Sequence, residues 1–214
     1  MKQVDLLVFD LDGTLVRSGE DLVAAVNYTL QTLGFSLLDP DTVQGFVGDG
    51  LEVLLKRALG TNDGEYHERA MAIFYPYYSE HLLDHTSLYP GVLTVLAHYG
   101  DKMKVIVTNK RQSYAVKITQ GLGIGSHFLE IVGEGSSPYR KPDPRLLQLI
   151  MAKWGVSPKR TAVIGDGIND ILLARQTGAL SCAFLGGITE RNKLLSLAPD
   201  MTCETLSDVM SLLG

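Results

Sequence analysis

Cysteine is nearly absent from this chain: among 214 residues only Cys182 and Cys203 carry thiols. Neither belongs to a CxxC pair or a Cys/His cluster, so the usual zinc sites are not supported, and both are expected as free thiols in a reducing compartment. No run of Lys and Arg is present. With 19 basic against 24 acidic residues, a net charge of −5 and a pI near 5.5, the composition argues against a nucleic-acid binder. It does not argue against small anionic substrates, because a few placed cations hold those locally. No window approaches the roughly 18 consecutive apolar residues of a membrane span. The start, Met1-Lys2-Gln3-Val4-Asp5, lacks the apolar stretch of a signal peptide, and the expected location is the cytoplasm. A Gly-x-x-x-x-Gly-Lys-Ser/Thr loop is missing, so an ATP-driven P-loop enzyme is not supported. Internal repeats and low-complexity tracts are missing too.

What is present is ordinary core material: 45% apolar and 20% charged residues, enough for one large domain or a core with a smaller lobe. Short apolar runs at 6–9, 105–107, 131–132, 162–164 and 182–185 predict buried strands. Helix-like segments at 92–99, 113–122, 144–154, 170–177 and 190–197 alternate with them. That alternation predicts an α/β fold, a Rossmann-like parallel sheet with helices on both faces. Residues 16–88 break the rhythm. They show no clear strand and read as helices at 21–33, 51–59 and 65–83, with Leu51, Leu54, Leu55, Ala58 and Leu59 at helical spacing. The expected organisation is a core of residues 1–15 and 89–214 and an all-helical insert of residues 16–88, with Tyr89-Pro90-Gly91 as the point of re-entry.

In parallel sheets ligands bind beyond the carboxyl ends of the strands. After the first run come Asp10 and Asp12, two anions at i and i+2 that face the same way on an extended chain and repel each other. That pair suggests a metal site, an acid/base site, or both. After 105–107 come Thr108, Asn109 and Lys110; Lys141 lies in the loop Tyr139-Arg140-Lys141-Pro142-Asp143-Pro144; Gly165-Asp166-Gly167-Ile168-Asn169-Asp170 follows 162–164. Hard carboxylate oxygens suit Mg²⁺, and a hydroxyl, backbone N–H groups and a lysine suit a phosphoryl group. The set fits phosphoryl transfer better than other chemistry.

Four motifs in order, Asp10–Thr14 as DxDGT, Thr108 at a strand end, Lys141, and Gly165–Asp170 as GDxxxD, resemble those of the haloacid dehalogenase superfamily of phosphatases. The helical insert is similar to that superfamily's first type of cap. Thr108-Asn109-Lys110, the Lys141-Pro142-Asp143-Pro144 loop and Val47-Gly48-Asp49-Gly50-Leu51 resemble the phosphoglycolate phosphatases most.

The resemblance implies Asp10 as nucleophile and Asp12 as general acid and then base. It implies Mg²⁺ held by Asp10, the Asp12 backbone carbonyl and Asp166. Asp170 would hold a metal-bound water or orient Lys141, and its place in a helix's first turn also suits the helix dipole. Thr108, the Asn109 N–H and Lys141 would grip phosphate, with Lys110 and Arg111 as further contributors. Gly48, Asp49 and Gly50, ahead of a helix N-terminus, would meet a second anion of the substrate. Arg17 would meet substrate or solvent, and Lys56, the only lysine of the insert, would face solvent.

The implied partner is a small phosphate ester, handled by a monomer or homodimer. Two positions depart from these relatives: Arg17 stands where they often carry an acid, and Gly167 where they often carry Ser or Thr, closer to phosphoserine phosphatases. Alternatives therefore include phosphoserine or sugar-phosphate hydrolysis, a pyrophosphatase, a β-phosphoglucomutase, and a phosphate- or metal-binding module without turnover. The near match of Gly165–Asp170 to a dinucleotide fingerprint lacks its third glycine, which is Asp170 here.

Overall fold

A computed structural model of the protein describes residues 1–61 and 63–214. The chain opens with β1 (Leu6–Phe9) and β2 (Val16–Arg17), then runs through helices α1 (Gly19–Leu33), α2 (Pro40–Gln44), α3 (Leu51–Leu59) and α4 (Gly64–His81). It continues with β3 (Ser87–Leu88), α5 (Val92–His98), β4 (Met103–Arg111), α6 (Gln112–Gly121), β5 (Glu130–Glu134) and α7 (Pro144–Trp154). The last part comprises β6 (Thr161–Gly165), α8 (Ile168–Thr177), β7 (Leu180–Phe184), α9 (Arg191–Ser196), β8 (Met201–Cys203) and α10 (Val209–Leu212).

Six strands form one parallel sheet in the order β5-β4-β1-β6-β7-β8. The four residues of β1 are all buried, and the two-residue period of a strand divides them between two cores. Leu6 and Val8 pack with Leu147 and Ile150 of α7 and Leu173 of α8. Leu7 and Phe9 join a second cluster with Val95 of α5, Ile118 of α6 and Val209 of α10. Helices therefore cover both faces, which is why these strands read as continuous apolar runs rather than alternating ones. Cys182 and Cys203 are free and buried on neighbouring strands, their sulfurs 3.9 Å apart.

The expected α/β sheet is present, with several departures. The edge strand β8 escaped the apolar pattern because Met201-Thr202-Cys203 is short and carries a polar residue at its centre. Helix α8 starts at Ile168, two residues before the expected start, so Asp170 lies in its first turn. The insert does contain strand: Val16 and Arg17 pair antiparallel with Leu88 and Ser87, where the sequence predicted none. It also contains the short helix α2, capped by the Asp39 carboxylate, which accepts from the Thr42 N–H at 2.9 Å.

Helices α1 to α4 pack on one another and share the α5/α6 core cluster through residues such as Leu30, Leu55 and Phe74. Asp21 ties α1 to the chain returning toward β3. Buried to 2% exposure, its carboxylate accepts from the backbone N–H groups of His85 and Thr86 and from the Thr86 hydroxyl, and it also meets His85 Nδ1.

Candidate active site

Beyond Phe9 the chain stops being strand and turns sharply. The Leu11 carbonyl collects the N–H groups of Thr14, Leu15 and Val16, and Gly13 takes φ +83°. Glycine is required there twice over. The left-handed conformation disfavours a side chain, and a Cβ would lie 2.2 Å from Asp166 Oδ2. This close approach brings the Asp10–Thr14 loop against the end of β6. The Thr14 hydroxyl donates to Asp166 Oδ1 at 2.6 Å and accepts the Asp166 N–H at 3.0 Å; Ile188 N–H donates to Asp166 Oδ2 at 2.8 Å.

A second distortion presents Thr108, Asn109 and Lys110. Between the pairs Val107–Val132 and Arg111–Glu134, β4 has three residues where β5 has only Gly133. Such a bulge re-aims the side chains it contains. Gly133 tolerates no side chain, since a Cβ would stand 2.6 Å from the Lys110 carbonyl. The Gln112 amide repairs the interrupted ladder, accepting from Gly133 N–H at 2.6 Å and donating to the Ile131 carbonyl at 2.8 Å.

Two buried lysines organise the acids. Lys141 Nζ is 2.8 Å from Asp10 Oδ1 and 2.6 Å from Asp170 Oδ1. Lys110 Nζ donates to Asp12 at 3.0 Å and to the Tyr78 hydroxyl at 2.7 Å, and the Ser18 hydroxyl donates to the same Asp12 oxygen. Burial alone would push both ammonium groups toward neutrality, but the adjacent carboxylates, Asp10 and Asp170 for Lys141 and Asp12 for Lys110, raise both above the ordinary lysine value. Burial, then the charge of Asp10, lifts Asp166 to about 6 and Asp170 to about 8. The acids are therefore crowded beyond what the two lysines neutralise.

That excess suits a hard cation. Asp10 and Asp166 offer carboxylates, and the loop's backbone bonds pass over the Asp12 carbonyl: Val16 N–H goes to Leu11, and Gly13 N–H goes to Val16. Among the described residues no three acidic, His or Cys side chains are grouped to hold an ion by themselves. A cation here would rest on two carboxylates, a carbonyl and the oxygens of a bound phosphate, the sparse set that Mg²⁺ adopts.

A cavity of about 60 Å³ lies over these groups, lined from the sheet side by Asp10, Asp12, Thr108, Asn109, Lys110 and Arg111. Its other wall comes from the insert, including Leu22, Val47, Leu51, Leu54, Phe74 and Tyr78. The expected site residues Asp10, Asp12, Thr108, Asn109, Lys141, Asp166 and Asp170 converge at this end of the sheet, five of them buried and Asp10 and Asp12 still open to the cavity. Gly48 and Gly50 line the cavity as expected.

Asp49 does not. Its carboxylate pairs with Arg57 at 2.7 Å and accepts from Asn169 Nδ2 at 2.9 Å, outside the cavity lining. The Gly48 carbonyl accepts from Asn109 Nδ2 at 3.0 Å and from Asn169 Nδ2 at 3.2 Å, clasping the insert to two strand ends. Asn109 also braces Lys141, with its Oδ1 accepting from Lys141 N–H at 3.0 Å. Arg17 lies over the Tyr89 ring at 4.8 Å, away from the cavity lining, and Lys56 is exposed. Tyr78, Ser18 and Thr14 were not singled out by their sequence context; only Thr14, inside the Asp-Gly-Thr run, carried a signal.

The haloacid dehalogenase-like hydrolase family model matches residues 7–184. A phosphoglycolate phosphatase of Chromobacterium violaceum is 34% identical, over 100% of this chain and 98% of its own. Phosphoglycolate phosphatase 1 of Pseudomonas aeruginosa is also 34% identical, over 96% of this chain and 78% of its own. A crystal structure from Haemophilus somnus, described as a predicted phosphoglycolate phosphatase, superposes with a TM-score of 0.94 at 29% identity and covers 99% of both chains. The family match spans both the Asp10 loop and the Asp166 strand end that the fold brings together, and the chain belongs to the haloacid dehalogenase-like hydrolases.

Proposed function

We propose that this protein is a Mg²⁺-dependent phosphatase of small phosphate monoesters, with phosphoglycolate the first substrate to test. The observation that carries the reading is the contact of Lys141 Nζ with Asp10 at 2.8 Å and Asp170 at 2.6 Å, beside an Asp12 held by its own lysine. It gives two carboxylates at one strand end separate cationic partners, and so separate tasks. Full-length relatives named for phosphoglycolate support the choice of substrate.

In this reading Asp10 attacks phosphorus, and the ester P–O bond breaks as the aspartyl-phosphate bond forms. Asp12 supplies the proton that leaves with the alcohol. It then takes a proton from the water that cleaves the aspartyl-phosphate, releasing inorganic phosphate and restoring Asp10. The Thr108 hydroxyl and the Asn109 N–H hold the phosphoryl oxygens, and Lys141 offsets their charge. Asp10, Asp166 and the Asp12 carbonyl would hold Mg²⁺, which supplies charge neutralisation between an anionic nucleophile and an anionic ester. Asp170 keeps Lys141 in place.

Residues 16–88 act as a cap in this reading. The clasp of Asn109 and Asn169 on Gly48, and the bond from Lys110 to Tyr78, are core-to-insert contacts of a shut state. The cavity lies between the strand ends and these insert residues, so movement of the cap would widen it for substrate.

The test is phosphate release from phosphoglycolate with Mg²⁺, combined with acid-quenched labelling of the enzyme. The expected result is Mg²⁺-dependent turnover and an acid-stable, alkali-labile phosphoryl group on Asp10. Asp10→Asn should keep the fold and lose both. Turnover by a folded Asp10→Asn variant would refute the nucleophile assignment.

A further inference from the structure

We propose that Lys110 and Tyr78 together form the receptor for an anion on the leaving group, and so are the residues that set the preference for an acidic over a neutral leaving group. This deepens the phosphatase reading above and rests on it.

The cavity has few polar groups with which to recognise a leaving group. The insert's side chains along it are apolar except at Tyr78. Of the sheet-side cations, Lys141 does not line the cavity. Arg111 lies over the Tyr75 ring at 4.3 Å and is exposed. Lys110 is the buried cation that lines it, with its side chain 5% exposed.

The order of groups fixes what Lys110 would meet. Phosphorus belongs at Asp10, and the ester oxygen belongs at Asp12. The Lys110 ammonium, on the cavity lining, donates to both Asp12 oxygens, at 3.0 and 3.2 Å, and to the Tyr78 hydroxyl. A carboxylate one carbon past an ester oxygen at Asp12 would compete for that ammonium and take over its longest contact, the one to Asp12 Oδ2. Tyr78 completes the receptor from the other wall. Its hydroxyl accepts from Lys110 at 2.7 Å, which leaves its own proton free to donate to the same carboxylate. An ammonium and a phenol, one from β4 and one from α4, thus read a single anion only when the insert is down. The apolar remainder of the wall and the small volume reject longer or more polar leaving groups.

The experiment compares kcat/KM for phosphoglycolate with that for its neutral isostere, 2-phosphoglycolamide, in the wild type, Lys110→Met and Tyr78→Phe, each with Mg²⁺. The readout is the ratio of the two substrates. Lys110 also touches Asp12, so absolute rates fall in its variant for both esters. The wild type should favour the acid by about tenfold to a hundredfold, the range of a charge-assisted contact. Lys110→Met should bring the ratio close to one, and Tyr78→Phe should lower it several-fold.

A wild-type ratio near one would overturn the receptor while leaving the phosphatase reading intact. A Lys110→Met ratio equal to that of the wild type would assign Lys110 to Asp12 alone and overturn it as well. Should Lys110→Met not fold, an unchanged ratio in Tyr78→Phe, which keeps the ring, overturns the two-sided receptor. No phosphate released from either ester by wild-type protein would sink the phosphatase reading itself.

Discussion

Replacing Lys141 with methionine keeps most of its volume and removes one charge from between Asp10 and Asp170. Lys141 is 3% exposed, and both of its contacts are under 3 Å, so water cannot take over its role. Removing one partner of a buried ion pair costs about 3–5 kcal/mol. Here the cost depends on pH in a predictable direction. Asp170 and Asp166 have folded-state values of about 8 and about 6, both above the unfolded carboxylate, so the folded protein binds more protons than the unfolded chain between pH 4 and 8. Stability contributed by these groups therefore falls as pH rises through that window.

At pH 5 both acids are protonated, and Lys141 answers only the Asp10 carboxylate. At pH 9 it answers Asp10 and Asp170, with Asp166 ionised nearby. Lys141→Met should therefore lose about 4 kcal/mol at pH 9 and roughly half of that at pH 5. Urea unfolding followed by far-ultraviolet circular dichroism, without added metal, measures both. A loss equal at the two pH values, or below about 1 kcal/mol at pH 9, would refute the reasoning that Lys141 compensates more than one buried acid.

Gly13→Ala should destabilise the protein by at least the 1–2 kcal/mol or so of a left-handed non-glycine residue, and should cut turnover more than tenfold because its methyl group displaces Asp166; near-normal kinetics would contradict the close approach of 2.2 Å. Asp21→Asn exchanges an acceptor of several hydrogen bonds for a group that also donates, and thermal unfolding should show a loss of about 2 kcal/mol. Because those bonds hold the Asp21 carboxyl below its ordinary value against the opposing effect of burial, the difference between wild type and variant should shrink as pH drops below 4. Mg²⁺ should raise the melting temperature more at pH 8 than at pH 5, since protonated Asp166 and Asp170 at the lower pH leave fewer anions to neutralise; an equal shift at both would place the ion elsewhere.

The sheet was legible because helices on both faces make a parallel strand apolar along its length, as in Leu6–Phe9 and the 162–164 stretch of β6. What escaped was short. The three residues of β8 and the two-residue β2 and β3 fall below any period that pattern reading resolves. The acids of the site were legible because loop motifs hold them close to a strand end, whereas Lys141, well past the end of β5, was picked out by the family resemblance. Tyr78 was not, since it lies mid-helix among other tyrosines, and only tertiary packing carries it to Lys110 across 32 positions. Asp49 was grouped with Gly48 and Gly50 because the three precede a helix N-terminus, whose backbone N–H groups suit an anion; where its carboxylate goes was not legible. Its partner Arg57 lies two turns along α3, a relation visible only once that helix is folded.

The ribbon of Val16–Arg17 against Ser87–Leu88 has a consequence beyond the position of the site. The chain departs from the sheet and comes back at one spot, with the outgoing and incoming backbones already zipped together. The stem fixes the spacing of the two ends whatever hangs from it, although the insert's core residues such as Leu30 and Phe74 also pack in one cluster with those of α5 and α6. A tight hairpin spliced across Arg17 and Ser87 is thus the natural minimal form of this architecture, and diversity among its relatives has an obvious place to accumulate.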